Sequence, residues 1–180
     1  MTLFSNKFIL FFILIFAFNI SYHSGYAQNS PSKMIIESTG DGLQILLPAS
    51  AFIYSYLTQD KVGEEQFIQS FFLTVTSTLA LKISINKKRP HGGSWSFPSA
   101  HTSVSFQTAA FIQKRYGWNY GIFAYLTAIF VGFSRVYAEK HYIEDVAAGA
   151  LLGIGCSYLW TRKYIVIGKN KFSLLYSIEL

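Results

Sequence analysis

KISINKKRP (residues 82–90), PSAH (98–101) and SRVYAEKHYIED (134–145) are three short runs, each at the edge of an apolar segment. Five such segments can be marked as helices: residues 43–57, with Pro48 inside, then 67–83, 102–115, 120–137 and 143–160. Pro48 implies a kink or a later start to the first of them. If the segments run up and down, the loops at 84–100 and 138–144 come to one end, and those at 59–66 and 114–119 to the other. All three runs then share a single face of the bundle. The pattern predicts an all-α, up-and-down bundle of about five helices. In the last segment Gly149, Gly153 and Gly155 are small residues that let helices approach closely.

The chain has 180 residues, enough for one domain. It is 51% hydrophobic and 13% charged, about half the charged share of an ordinary soluble domain. Its mean hydropathy of +0.31 lies between a soluble core and a lipid-embedded bundle. The net charge of +6 does not form a nucleic-acid stripe; the excess gathers in the first run and near the C-terminus, which suits a surface beside anionic lipid or solvated helix ends. Cys156 is the only cysteine, so no intrachain disulfide can form, and it reads as a small buried residue. Residues 1–27 carry one early charge, Lys7, an apolar run over 8–18 and the small residues Gly25 and Ala27. They read as a secretory signal or an uncleaved N-terminal anchor. Residues 28–42 read as a polar leader, 28–163 as the domain, and 164–180 as a tail with two short strands about a turn. The helical segments, with Gln44, Gln69 and Gln107 inside them, are short of the ~20 apolar residues of a bilayer span. The bundle is expected to be membrane-associated, with a periplasmic domain packed on itself as the alternative.

The three runs carry phosphate chemistry. Arg89 offers a two-pronged fork to phosphate oxygens and Lys82 a point charge. Pro98-Ser99-Ala100-His101 reads as a helix entry, where free backbone N–H groups and the positive end of the dipole attract an anion. Ser99 either caps that helix or donates to the anion, and His101 stands where it could protonate a leaving oxygen. Arg135 is either a snorkelling interfacial residue or a third phosphate ligand. His141 and Asp145 are four apart, one helix face, so the carboxylate could fix the imidazole tautomer and leave the other nitrogen free to attack. Taken singly, each run is also explained by helix ends and surface polar pairs. No cluster completes a metal shell, His91 and Glu144 being too few.

In order and spacing the runs resemble the type 2 phosphatidic acid phosphatase (PAP2) superfamily, whose pattern is Lys-x6-Arg-Pro, Pro-Ser-Gly-His and Ser-Arg-x5-His-x3-Asp. Every fixed position matches except Ala100, which stands where the family has Gly. The resemblance implies that His141 is a nucleophile forming a phosphohistidine, Asp145 its orienting acid and His101 the general acid. It further implies that Lys82, Arg89, Ser99, Arg135 and the Ala100 amide hold the phosphate, and that no metal or other cofactor is needed. Phosphate-monoester hydrolysis can demand acceleration approaching ~10²¹, on the order of 28 kcal/mol, more than one histidine supplies. Covalent catalysis with preorganised cations can approach it. The size and exported N-terminus resemble bacterial members acting on lipid A, undecaprenyl pyrophosphate or phosphatidylglycerophosphate. The expectation is a phosphatase of a phosphorylated lipid at the periplasmic face of the bacterial inner membrane. The alternatives are a soluble periplasmic acid phosphatase of the same family and a catalytically inactive anion-binding membrane protein.

Overall fold

A computed structural model describes residues 30–164. Five helices follow one another: α1 Pro31–Leu57, α2 Lys61–Ile85, α3 Ala100–Tyr116, α4 Trp118–Tyr137 and α5 Ile143–Trp160. No strand occurs among the described residues. The fold is therefore the all-α up-and-down bundle that the segment pattern predicts. The expected signal or anchor over 1–27 and the expected strand pair over 164–180 lie outside the described residues, apart from residue 164 itself.

The first helix differs from expectation. It begins at Pro31, not at residue 43, so residues 31–42 of the stretch read as a leader are helical. Proline is well placed in a first turn, where its missing N–H costs nothing. The helix then runs through Pro48 to Leu57. Ser38 and Thr39 are exposed, and their Oγ and Oγ1 donate back to the Ile35 carbonyl of the same helix, at 3.1 and 2.7 Å. Lys33, Glu37 and Asp41, spaced by four, pair with residues of other elements.

α3 is the central helix and touches all four others. Its small and polar residues, Thr102, Ser103, Ser105, Gln107, Thr108, Ala109 and Ala110, are buried. Small side chains bring backbones close, and hydroxyls and amides then bond across the gap. Thr78 and Ser103 hydroxyls meet at 2.9 Å, and Gln107 Nε2 donates to Ser70 Oγ at 2.8 Å. Two of the three glycines singled out in α5 are needed for this packing. A Cβ on Gly153 would lie 2.1 Å from the Ser103 carbonyl oxygen, and one on Gly149 2.6 Å from that of Ser99. Gly155 faces open space, so it has no such role. The close approach aligns the first turns of α3 and α5, and Ser99 N donates to the Asp145 carbonyl at 3.0 Å. At the other end α3 turns into α4 through the single residue Gly117, whose φ of 94° is a conformation side chains disfavour.

Charge is confined to the two ends. No Asp, Glu, Lys or Arg occurs between Asp41 and Asp60, Glu65 and Lys82, Arg89 and Lys114, Arg115 and Arg135, or Asp145 and Arg162. The uncharged stretch of α4, residues 118–134, is roughly 25 Å long at ~1.5 Å per residue, most of the ~30 Å thickness of a bilayer's hydrocarbon. Large apolar side chains in this band are exposed: Leu46 and Ile53 on α1, Phe72 on α2, Ile122, Phe123, Leu126, Ile129 and Phe133 on α4, Leu151 and Leu159 on α5. Among the described helices α2 and α4 are long and apolar enough to cross a membrane by length and composition.

Candidate active site

Four helix ends and a loop meet at one end of the bundle. α2 stops at Asn86, which takes a left-handed turn (φ 44°) and returns its N–H to the Lys82 carbonyl. The loop that follows folds on itself. Arg89 N donates to the Gly93 carbonyl at 2.6 Å, Arg89 Nε to the Ser94 carbonyl at 3.1 Å, and Ser96 N to the Lys87 carbonyl at 2.8 Å. The buried Lys82 ammonium reaches up from α2 to the Trp95 carbonyl at 2.7 Å. Past the end of α4, the amides of Lys140 and His141 both donate to the Arg135 carbonyl, which tucks His141 beside Arg135. Ser99 caps α3, its Oγ accepting from the amide and the hydroxyl of Thr102 at 3.5 and 3.0 Å. Ala100 is the first residue of that helix, so its N–H is one of the donors a helix leaves unused.

His141 and Asp145 are both buried, and their relation corrects the expected direct hydrogen bond. His141 Nδ1 lies 3.8 Å from Asp145 Oδ2, too far for one. Ser96 Oγ stands between them: it donates to Asp145 Oδ2 in a short bond and lies 3.4 Å from His141 Nδ1. The carboxylate is further fixed by the Tyr142 amide, which donates to Oδ2 at 3.0 Å, and by Lys87 Nζ at 2.8 Å from Oδ1. Asp145 caps its own helix and is thereby held rigid, and Nδ1 is the imidazole nitrogen turned towards it.

On the other side of the site, Asp41 of α1 binds two of the residues singled out in the sequence. Its Oδ1 accepts from His101 Nε2 at 2.9 Å and from Arg135 Nη1 at 2.6 Å. Arg135 also donates from Nη2 to the Glu37 carbonyl and from Nε to Ser134 Oγ.

Residues 66–167 match the model of the PAP2 superfamily. That is more than half of the chain. The chain belongs to the PAP2 superfamily. A lipid A 4'-phosphatase of Helicobacter pylori is 40% identical over 78 residues, which are 43% of this chain and 39% of that protein. The undecaprenyl-diphosphatase BcrC of Bacillus subtilis is 34% identical over 76 residues, 41% of this chain and 37% of that protein. The chain thus spans about two fifths of the length of these curated relatives. The crystal structure of Aquifex aeolicus LpxE superposes with a TM-score of 0.64 at 22% identity, covering 73% of this chain and 87% of that one, a likeness of fold. The PAP2 match begins in α2, so α1 and Asp41 fall outside it.

The PAP2 motif residues form one electrostatic unit. Burial first, and then the positive groups Arg89, Lys82, His101 and Arg135, push the His141 imidazole down to about 2. An imidazole so placed stays neutral in the folded protein at any ordinary pH. An unfolded chain protonates it near 6.5. Its contribution to stability is complete above 6.5 and is lost progressively as pH falls below that value, because the unfolded state then binds the extra proton. The parent is expected to lose thermal stability between pH 6.5 and 4.5 more steeply than His141→Gln, as read by melting temperature at each pH. Equal slopes would show that His141 is not held neutral by the fold.

Every residue expected from the sequence reaches this end of the bundle. Three others contribute that were not assigned there: Ser96, Lys87 and Asp41. Lys87 is visible only as part of a basic run, and Ser96 sits in a loop with no spacing to mark it.

Proposed function

We propose that this chain is a metal-independent phosphatase that removes phosphate from a phosphorylated lipid through a phosphohistidine intermediate. The observation that carries this reading is the buried His141, its Nδ1 turned to Ser96 and Asp145, with four basic groups that disfavour its protonation. With Nδ1 so engaged, Nε2 is the attacking nitrogen. Its lone pair forms the N–P bond while the P–O bond to the lipid breaks, and the leaving oxygen takes a proton from His101. Water then attacks phosphorus and gives a proton back to His101, the N–P bond breaks, and inorganic phosphate leaves. Lys82, Arg89 and Arg135 balance the charge on the three equatorial oxygens, with the Ala100 amide and Ser99 at the start of α3. Ser99 Oγ is the acceptor in both of its hydrogen bonds, so its proton remains for the phosphate.

A lipid substrate is supported by the uncharged band and its exposed apolar side chains, which end where the site begins. That surface suits a bilayer better than the water around a soluble acid phosphatase. On this reading residues 1–27 direct the chain to export, residues 28–163 form the catalytic domain, and the site faces the periplasm. The test is release of phosphate by membranes carrying the chain from lipid A, a prenyl pyrophosphate, phosphatidylglycerophosphate and a water-soluble ester. At least one lipid is expected to outpace the soluble ester in kcat/KM; a soluble ester faster than every lipid would overturn the lipid assignment.

A further inference from the structure

We propose that Asp41 is a positioning residue of this site: its carboxylate holds the Nε2 edge of His101 and one arm of Arg135 together, so that His101 presents a protonated Nδ1 to the leaving oxygen. The inference rests on the reading of the preceding subsection, and it assigns a role to a helix that lies outside the PAP2 match.

α1 is drawn onto the site by one face. Lys33 pairs with Glu139 at 2.8 Å, Glu37 with Lys140 at 3.1 Å, and Asp41 with Arg135 and His101. Gly40 permits the approach, since a Cβ there would lie 2.0 Å from Ser134 Oγ and 2.8 Å from Arg135 Nη2. Asp41 therefore sits beside a close contact between α1 and α4, with its carboxylate bonded to both basic groups.

Arg135 is steadied without being used up. A guanidinium has five N–H donors. One goes to Ser134, one to Asp41 and one to the Glu37 carbonyl. Two remain for phosphate.

The effect on His101 follows from its two nitrogens. A neutral imidazole that donates from Nε2 has a bare Nδ1 and no proton to give there. To act as an acid from Nδ1 the ring must carry both protons. Burial first, with the charges of Arg135 on α4 and Arg89 in the loop after α2, holds the imidazole below its ordinary value, and the hydrogen bond and charge of Asp41 are what counter that fall. His141 and Lys82 of α2 are further titratable groups of this site, and His141 is neutral. Burial alone would raise the Asp41 carboxyl, but His101 and Arg135 together hold it below its ordinary value, so it stays ionised. As the P–O bond breaks, its electron pair stays on the leaving oxygen, which takes the Nδ1 proton. His101 becomes neutral and keeps its Nε2–H on Asp41. In the hydrolytic step Nδ1 regains a proton from the attacking water.

A carboxylate on Arg135 could instead act as a plug that phosphate must displace, and the two roles predict opposite results. Asp41→Asn keeps the shape and removes the charge. Its kcat on a lipid phosphate, an alkoxide leaving group, is expected to fall ~10- to 100-fold, with the alkaline limb of the pH profile moved to lower pH. On a nitrophenyl phosphate, whose leaving group needs no proton, the loss is expected to shrink to ~3-fold or less. Asp41→Glu, which keeps the charge, is expected to lose rate with the alkaline limb in place. Equal losses of Asp41→Asn on both substrates with an unmoved limb would overturn the proposal in favour of a structural role. A gain in activity would overturn it in favour of the plug, and a limb that moves in Asp41→Glu would overturn it by showing that the carboxylate charge is not what sets the limb. A parent that hydrolyses no phosphate ester, or a His141→Ala variant that keeps the parent rate, would instead overturn the reading of the site itself.

Discussion

Replacing His141 with alanine is expected to lower phosphate release from a lipid phosphate by ~10³-fold or more, because it removes one member of a set that acts as a unit. The cations that remain would still bind the substrate, so the loss should fall on kcat and leave KM nearly unchanged. The alternative is that the site only binds: four basic groups around a helix start would hold an anion whether or not bond breaking follows. Binding and turnover separate in this variant. A radiolabelled substrate should leave label on the parent chain when the reaction is stopped, and none on His141→Ala. Release at the parent rate by the variant would mean that no covalent bond to this imidazole lies on the path.

The geometry explains why the effect should be that large. His141 is buried, and the nearby cations disfavour its protonation. The imidazole is therefore available as a nucleophile at neutral and mildly acidic pH without a proton first having to leave. Asp145 does not touch it directly, yet four groups fix Asp145: Ser96, Lys87, the Tyr142 amide and, through its carbonyl, the Ser99 amide. Rigidity of the carboxylate replaces proximity, with the Ser96 hydroxyl as the intervening link.

The parts of this site legible in the sequence are those whose positions are set by helix ends. Lys82, Arg89, Ser99, His101, Arg135, His141 and Asp145 sit where apolar segments stop or start, and alternation of the helices is enough to bring them together. Asp41 was illegible for a physical reason. Ser38, Thr39, Gly40, Asp41 and Gly42 have the composition of a turn. Tertiary contacts override that composition: Gly40 is required by the approach to Ser134, and Glu37 and Asp41 answer Lys140, Arg135 and His101. A charged end hides the start of α2 in the same way: Lys61, Glu64 and Glu65 look like a loop, so the apolar pattern marks residues 67–83 of a helix that runs Lys61–Ile85 and is long enough for a membrane span, whereas residues 143–160 match α5 in full. Ser96 has no pattern to announce it, because a loop hydroxyl that bridges two motif residues is fixed only by the folded loop.

Replacing Arg115 with alanine is expected to destabilise the fold by ~3–5 kcal/mol, because it strands a buried carboxylate. Asp60 and Arg115 are 4% and 3% exposed, at the end of the bundle away from the site. Arg115 grips Asp60 with two arms, Nε donating to Oδ2 at 2.6 Å and Nη2 to Oδ1. Gly63 N and Tyr116 Oη complete the carboxylate at 3.0 and 2.9 Å. Nη1 reaches Gln66 Oε1 and the Arg162 carbonyl, and the Arg115 carbonyl accepts from Tyr164 N. One guanidinium thus ties the α1–α2 turn, the first turns of α2, the end of α3 and the segment after α5. Burial alone would raise the Asp60 carboxyl, but these donors hold it below the usual range, so the pair is charged on both sides. Removing one charge leaves the other desolvated and unpaired, whereas replacing both with apolar groups of similar size removes the desolvation cost along with the attraction. Arg115→Ala should therefore melt well below the parent in detergent, and the double variant Asp60→Leu with Arg115→Met should recover much of the loss. Because the cluster sits at the far end, the fraction of Arg115→Ala that remains folded should release phosphate at the parent rate per molecule. A double variant no more stable than Arg115→Ala would mean that the pair itself, and not the orphaned carboxylate, supplies the stability.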